Sequence, residues 1–307
     1  QKVYLAEVLL AAEKLPALGY QQLYLEWCDE SAEQPVRKKA ENVLENAYYR
    51  IVVNANGSLD ILDKEAGREY PAQGIFEENG DGGDSFNYSP PAQDLVVSSR
   101  QVQAVCTCSE SSLFQQASIS FTLQVPADLA ERAAGRCTAA MPFEVQVTLR
   151  KDSRVVDFFV SVENQAASHR LVVKFATGIA SRVSLADQQF GLIERPVQRP
   201  ELALWEKDPA AWNEMPITIE PLQTFVALRD KMHGCGIFPQ GVREYQITGD
   251  TFDTITLTLF RSYGFMGREN LLYRPGRASG EKVIATPAAQ LLGRLEFAFS
   301  YYLYQGD

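Results

Sequence analysis

Along most of the chain apolar and polar residues alternate with a period of two, the spacing that sets one face of a strand on a core and the other in water. The clearest stretch runs Tyr49-Arg50-Ile51-Val52-Val53-Asn54, then Asn56-Gly57, then Ser58-Leu59-Asp60-Ile61-Leu62. Asn-Gly accepts the positive φ angles of a tight turn, so the segment reads as a β-hairpin. Similar text, rich in β-branched and aromatic residues, predicts strands over 95–105, 118–125, 143–150, 154–163, 170–175, 224–228, 236–238, 245–248, 254–260 and 295–304. Helical periodicity is scarce. Residues 127–134 and 288–292 suit one or two turns each, and 32–45 is polar enough for a linker or edge loop. Many strands with almost no crossover helices argue against a doubly wound sheet and predict an all-β, antiparallel sandwich.

Two stretches interrupt the alternation. Charge concentrates and apolar residues nearly vanish over 29–42, which places a boundary there: 1–36 as strands of a small accessory β module or linker, 37–307 as the main sandwich. The chain opens at Gln1 with no initiator Met, already in strand-like text (KVYLAEVLL), and so reads as a piece of a longer polypeptide. The second interruption, 178–223, is rich in proline and carries Trp205 and Trp212; long loops of this kind are usually functional or partner-facing.

Composition narrows the function classes. With 307 residues the chain is long enough to bury a large core without disulfide or metal staples. A formal charge of −10 repels phosphate backbones and no Lys/Arg run offsets it locally, so nucleic acid is not an expected partner. No apolar stretch approaches the roughly 20 residues needed to span a bilayer, and no basic-then-apolar signal opens the chain. The five cysteines (Cys28, Cys106, Cys108, Cys137, Cys235) form neither a disulfide framework nor paired C-x2-C modules. They read as free thiols of a reducing compartment, which makes the cytoplasm the expected location.

The segment 77–91, Glu-Glu-Asn-Gly-Asp-Gly-Gly-Asp-Ser-Phe-Asn-Tyr-Ser-Pro-Pro, is the most unusual in composition. Glycines let the backbone turn sharply while carboxylates converge. A calcium loop of the EF-hand type fails on spacing, because the twelfth position counted from Asn79 is Pro90. Phe86 and Tyr88 beside paired carboxylates suit a saccharide wall; a solvated Gly-rich loop is the alternative. Only His169 and His233 are present, with no metal-ligand spacing and no G-x-S-x-G elbow, so both read as structural histidines. The arginines of 259–280, interleaved with Pro and Gly, suit carboxylate recognition or the pinning of loops, the second being favoured.

Taken in order, Asn42 to Asn46, Tyr48-Tyr49-Arg50-Ile51, Asn56-Gly57-Ser58-Leu59, Asp63-Lys64, Gly67 and the Gly-Asp loop ending Asn87-Tyr88-Ser89-Pro90 resemble the C-terminal half of the glycoside hydrolase family 38 α-mannosidases. Glu163-Asn164, His169-Arg170-Leu171, Glu194-Arg195-Pro196, Gly241, Glu244-Tyr245, Arg261, the Arg-Pro-Gly-Arg-Ala-Ser-Gly stretch and Thr286-Pro287 follow in the family's order, and Leu15-Pro16-Ala17-Leu18-Gly19-Tyr20 matches upstream. The bacterial mannosylglycerate hydrolase-like branch is the most similar, although this chain has Phe86 where Tyr is usual.

The resemblance implies a large antiparallel supersandwich similar to galactose mutarotase. It also implies a retaining, zinc-dependent glycosidase whose metal ligands, nucleophile and acid/base lie in an N-terminal catalytic domain. This chain would then hold no catalytic residue and no metal, and be inactive alone. Its partners would be that domain and a mannoside, with a homo-oligomer as a further expectation. Asp84, Phe86 and Tyr88 are expected to line the substrate pocket, with Arg195 as a further contact from this half. Two alternatives compete: a carbohydrate-binding sandwich using Tyr88 and Trp205, and an epimerase using His169 and Glu163.

Overall fold

The hairpin expected around Asn56-Gly57 is present in the computed structural model, which describes residues 10, 12, 17–24, 36–276 and 283–306. Strands β1 (Arg37–Lys38) and β2 (Val43–Glu45) lead into β3 (Tyr49–Val53) and β4 (Leu59–Asp63), with Val53 paired to Leu59 across the turn. Gly57 takes φ +83°, and a Cβ there would meet Ile119 at 2.9 Å, so both conformation and space require glycine. With β5 (Arg68–Gln73), the strands β2-β3-β4-β5 make a four-stranded sheet.

The strands that follow are β6 (Ile75–Gly80), β7 (Val97–Ser98), β8 (Val105–Glu110), β9 (Phe114–Val125), β10 (Ala139–Arg150), β11 (Val155–Asn164) and β12 (His169–Ala176). Then come β13 (Val183–Gln188), β14 (Gly191–Pro196), β15 (Ile219–Pro221) and β16 (Val226–Arg229). The last four are β17 (His233–Gln240), β18 (Glu244–Thr248), β19 (Thr254–Arg261) and β20 (Gly293–Gln305). They form a ten-stranded sheet, β1-β8-β9-β10-β11-β20-β17-β16-β13-β14, and a six-stranded sheet, β15-β18-β19-β12-β6-β7, both antiparallel.

Aromatic rings join the layers. Phe76 of β6 meets Phe121 and Phe143 of the large sheet at 5.8 and 5.2 Å, and Phe175 of β12 meets Phe158, Phe299 and Tyr301 at 5.8, 5.8 and 5.4 Å. The small sheet is tied in by Tyr49, whose hydroxyl accepts from Leu303 N at 3.2 Å and donates to Leu303 O at 3.3 Å. One continuous hydrophobic core therefore runs under all three sheets. The fold is the all-β antiparallel supersandwich expected.

Several elements differ from expectation. The strand predicted over 95–105 is split, because Ser98 Oγ accepts from Arg100 N at 3.3 Å and caps a 3-10 turn at Ser99–Gln101. Part of the 32–45 stretch forms β1 and β2, and the irregular 178–223 stretch contains the β13-β14 hairpin, helix α2 (Glu201–Lys207) and β15. The helical turn expected in 127–134 is α1 (Leu129–Ala133), capped by Asp128 Oδ1 accepting from Ala130 and Glu131 N at 2.8 and 2.9 Å. The other, in 288–292, is a 3-10 turn at Pro287–Gln290. The strand text at 2–9, Leu25, most of the 29–42 charge run before residue 36, Cys28 and Arg277 to Gly280 lie outside the described residues; 17–24 run as turn and coil. Cys106, Cys108, Cys137 and Cys235 are free thiols. Among the described residues no helix is long and apolar enough to cross a membrane.

Asp187 on β13 fixes the start of β16. Burial would raise its carboxyl, but Thr224 Oγ1 and the amides of Thr224, Phe225 and Gln223 donate to it and bring it down to about 2. Since the folded value lies below the ordinary one, its stabilisation is complete above about pH 4 and lost as the pH falls toward 2. Asp187 is half-buried, so solvent screening reduces the gain. Asp187→Ala is expected to lower unfolding free energy by about 1–2 kcal/mol at pH 7. Urea melts should show the gap to wild type narrowing below pH 4; a pH-independent gap would contradict this account.

Candidate functional site

Strand β6 delivers the Gly-Asp loop to a row of arginines from the chain's last quarter. Asp81 accepts Arg261 Nε at 2.7 Å on Oδ2 and Gly83 N at 2.8 Å on Oδ1. Asp84 Oδ1 accepts the amides of Phe86 and Asn87 at 3.0 Å each, an Asx turn, while Oδ2 accepts Arg268 N at 2.8 Å and Arg274 Nη2 at 2.5 Å. Arg274 also donates to Asn87 Oδ1, and Ser85 Oγ donates to Met266 O at 2.6 Å. A Cβ on Gly83 would sit 2.0 Å from Asn87 O, so the turn closes only over glycine.

Burial raises both carboxyls, yet their net shifts are opposite. Desolvation dominates at Asp81 and raises its carboxyl above the usual range even with Arg261 beside it. At Asp84 burial also pushes upward, but Arg274 and the amides of Asn87, Arg268 and Phe86 outweigh it and hold the group below its ordinary value. The arginines of 261–274 thus pin this loop, the favoured reading of that stretch. Among the described residues no three His, Cys, Asp or Glu side chains converge as metal ligands.

Of the expected site residues, Asp84 is 0% exposed, Tyr88 is 8% exposed and Phe86, between them, is 60% exposed. The loop therefore offers its aromatic tip and hides its acid. Tyr88 is flanked by the Arg170 and Arg261 guanidiniums at 5.1 and 5.7 Å from its ring, meets Tyr273 edge-on at 6.1 Å, and accepts from Asn79 Nδ2 at 2.5 Å. Burial raises its hydroxyl far above the usual tyrosine range. Arg195 stands on edge strand β14, with Nε 3.1 Å from Glu220 on β15 and Nη1 donating to Tyr245 on β18 at 3.3 Å. It clasps the edges of the two large sheets and shares no hydrogen-bond or ion-pair partner with Asp84, Phe86 or Tyr88.

Tyr88 also borders a cavity of about 230 Å³ on the face of the six-stranded sheet turned away from the core, with Arg170 and Lys174 of β12, Gln246 of β18, Thr256 of β19 and Tyr273 around it. Arg170 and Thr256 are only 4% and 2% exposed there. These residues did not stand out in the sequence. The available signal was the polar half of each alternation: Arg170 and Lys174 against Leu171, Val173 and Phe175 in the core, and Thr254, Thr256 and Thr258 against Ile255, Leu257 and Leu259.

The family model described as the glycosyl hydrolases family 38 C-terminal domain matches residues 44–265. The chain belongs to family 38. It is 28% identical over 311 residues to a Halalkalibacterium halodurans protein named "Putative mannosylglycerate hydrolase", covering 94% of this chain and 32% of that protein. An α-mannosidase from Enterococcus faecalis V583 superposes with TM-score 0.74 at 27% identity, over 89% of this chain and 30% of its own. A galactose 1-epimerase from Lactobacillus acidophilus NCFM superposes with TM-score 0.45 at 10% identity, over 86% of this chain and 94% of its own. The chain thus spans about a third of the length of its family 38 relatives.

Within this family 38 domain the residues of the two alternative readings do not assemble. His169 is 0% exposed, with Nε2 3.0 Å from Asn164 Oδ1 and Nδ1 3.2 Å from Glu78 Oε1, whereas Glu163 points to solvent from β11. The pair does not face one cleft, so an epimerase built on it is ruled out. Trp205 lies half-buried on α2 and is not among the residues around the cavity beside Tyr88.

Proposed function

We propose that this chain is the C-terminal β-sandwich of a cytoplasmic, retaining α-mannosidase that acts on α-mannosides such as mannosylglycerate. In this reading it braces an N-terminal catalytic domain and supplies one rim of the sugar pocket. The observation that carries the reading is Phe86: a 60% exposed aromatic on a loop immobilised from beneath by Asp81–Arg261 and Asp84–Arg274. An apolar ring held still in water is preorganised for contact with another surface or a sugar face, because its ordering entropy is already spent in folding. Asp84 sets the position of Phe86 through its amide and does not itself meet the ligand. Arg195 acts at one remove, by locking β14 to β15.

The residues described do not suit a zinc site, so no metal-dependent step is assigned to them. Zinc, the nucleophile and the acid/base are placed in the catalytic domain, and the isolated 307-residue chain should turn over no mannoside. In the full-length polypeptide, Phe86→Ala is expected to raise KM for an α-mannoside about three- to tenfold, with kcat less affected. The same change should leave the melting temperature of the 307-residue chain nearly unmoved, because the ring is mostly exposed. Turnover of a mannoside by the isolated chain, or an unaltered KM in the Phe86→Ala enzyme, would overturn this reading.

A further inference from the structure

The cavity beside Tyr88 combines a floor of charged and hydroxyl side chains with a partly apolar wall. On the face of the six-stranded sheet turned away from the core, Arg170 and Thr256 are 4% and 2% exposed and line the cavity with Tyr88 and Tyr273, while Val172, Met215 and Ile217 add apolar wall. Burying such groups without benefit destabilises a fold, so a retained polar chamber points to a ligand. Its volume of about 230 Å³ leaves room for one hexose ring.

Charge decides the ligand class. Lys174 is paired with Glu77, and Arg170 Nε lies 3.7 Å from Glu244, so each cation already has its counter-ion and the chamber offers no net charge to an anion. What remains is hydrogen-bonding capacity. Arg170 uses Nε and one N–H on each terminal nitrogen toward Thr258 (3.1 and 2.6 Å) and Gln246 (3.4 Å), which leaves two of its five N–H donors. Lys174 directs one N–H to Glu77, and Tyr88 accepts from Asn79, keeping its own O–H to give. Neutralised ions with spare donors, together with carboxylate and hydroxyl acceptors, match vicinal hydroxyls that must donate and accept at once.

We infer that this chamber is a binding site for a single neutral monosaccharide, formed entirely by this chain and independent of the hydrolase reading. Titration of the 307-residue chain with D-mannose, D-glucose and D-galactose, by calorimetry or ligand-observed NMR, tests it, with D-glycerate as an anionic control. At least one hexose should saturate with a dissociation constant of about 1 mM, the strength suited to a ligand of this size, and glycerate should not. Lys174→Met should weaken that hexose at least about tenfold by removing a charge-assisted donor. Its side chain is 25% exposed, so the fold is kept, and Gln246→Leu serves as a second variant from another strand. The proposal is overturned if no hexose saturates at a concentration tenfold above that constant, if glycerate binds in their place, or if both variants bind as tightly as wild type. Each of these outcomes leaves the Phe86 experiment on the full-length enzyme unaffected.

Discussion

Arg132→Met should lower the unfolding free energy of the chain by about 3–5 kcal/mol, because it strands a carboxylate that water cannot reach. Arg132 comes from α1 with a side chain 1% exposed and pairs with Glu78 of β6, which is 0% exposed. It also donates to Leu95 O at 2.5 Å and to Asp94 at 3.2 Å, and Asp94 in turn accepts Gly80 N at 3.0 Å. One guanidinium thus fastens the helix between β9 and β10 to the end of β6 and to the irregular segment leading into β7. After the substitution Glu78 keeps only His169 Nδ1, 3.2 Å away, as a nearby partner. Replacing Glu78 by Leu in the same chain should restore much of the loss, since an apolar pair of similar volume needs no desolvation. Urea denaturation of the wild type and the two variants decides the matter. A single-mutant loss below about 1 kcal/mol, or a double mutant as weak as the single, would show that the pair is not what holds this corner.

Asp84→Ala should cost about 2–4 kcal/mol at pH 7 by leaving Arg274 and the amides of Phe86, Asn87 and Arg268 short of their shared acceptor. Its pH dependence has a definite sign. Asp84 is held below its unfolded value, near 3.9, so its contribution is complete above that value and disappears as the pH falls through the folded one. Asp81, raised by burial, runs the other way: its contribution is complete below the unfolded value and is lost as the pH rises through the folded one. Wild-type stability on the two sides of the unfolded carboxyl value therefore combines two opposed slopes, Asp84's below it and Asp81's above it, and removing Asp84 should leave the one from Asp81. Melts of Asp84→Ala that keep the wild-type acid limb would contradict the assignment. In the full-length enzyme the same variant should raise KM alongside Phe86→Ala, with little further effect when the two are combined, because both act through one loop.

The legible part of the fold is that in which alternation meets burial. Strands β9 to β12 and β18 to β20 place an apolar residue on the core at every second position, and the pattern found them to within a few residues. Strand β14 left no such trace: nearly every residue from Gly191 to Pro196 is exposed, so nothing in its composition is constrained to alternate. The Gly-Asp loop stood out by composition, yet its meaning depended on Arg261, Arg268 and Arg274, about 180 residues away, a distance at which neither spacing nor propensity speaks. Glu78 was hidden for a similar reason, since nothing marks one acid in Glu77-Glu78 as buried until Arg132 folds over it.

The position of β20 carries a consequence for biosynthesis. The chain's final thirteen-residue strand lies inside the ten-stranded sheet, between β11 and β17. A nascent chain still awaiting Gly293 exposes two strand edges, on β11 and β17, that are paired in the folded protein, and the sandwich can close only once Gly293 to Gln305 have been translated and have cleared the ribosome.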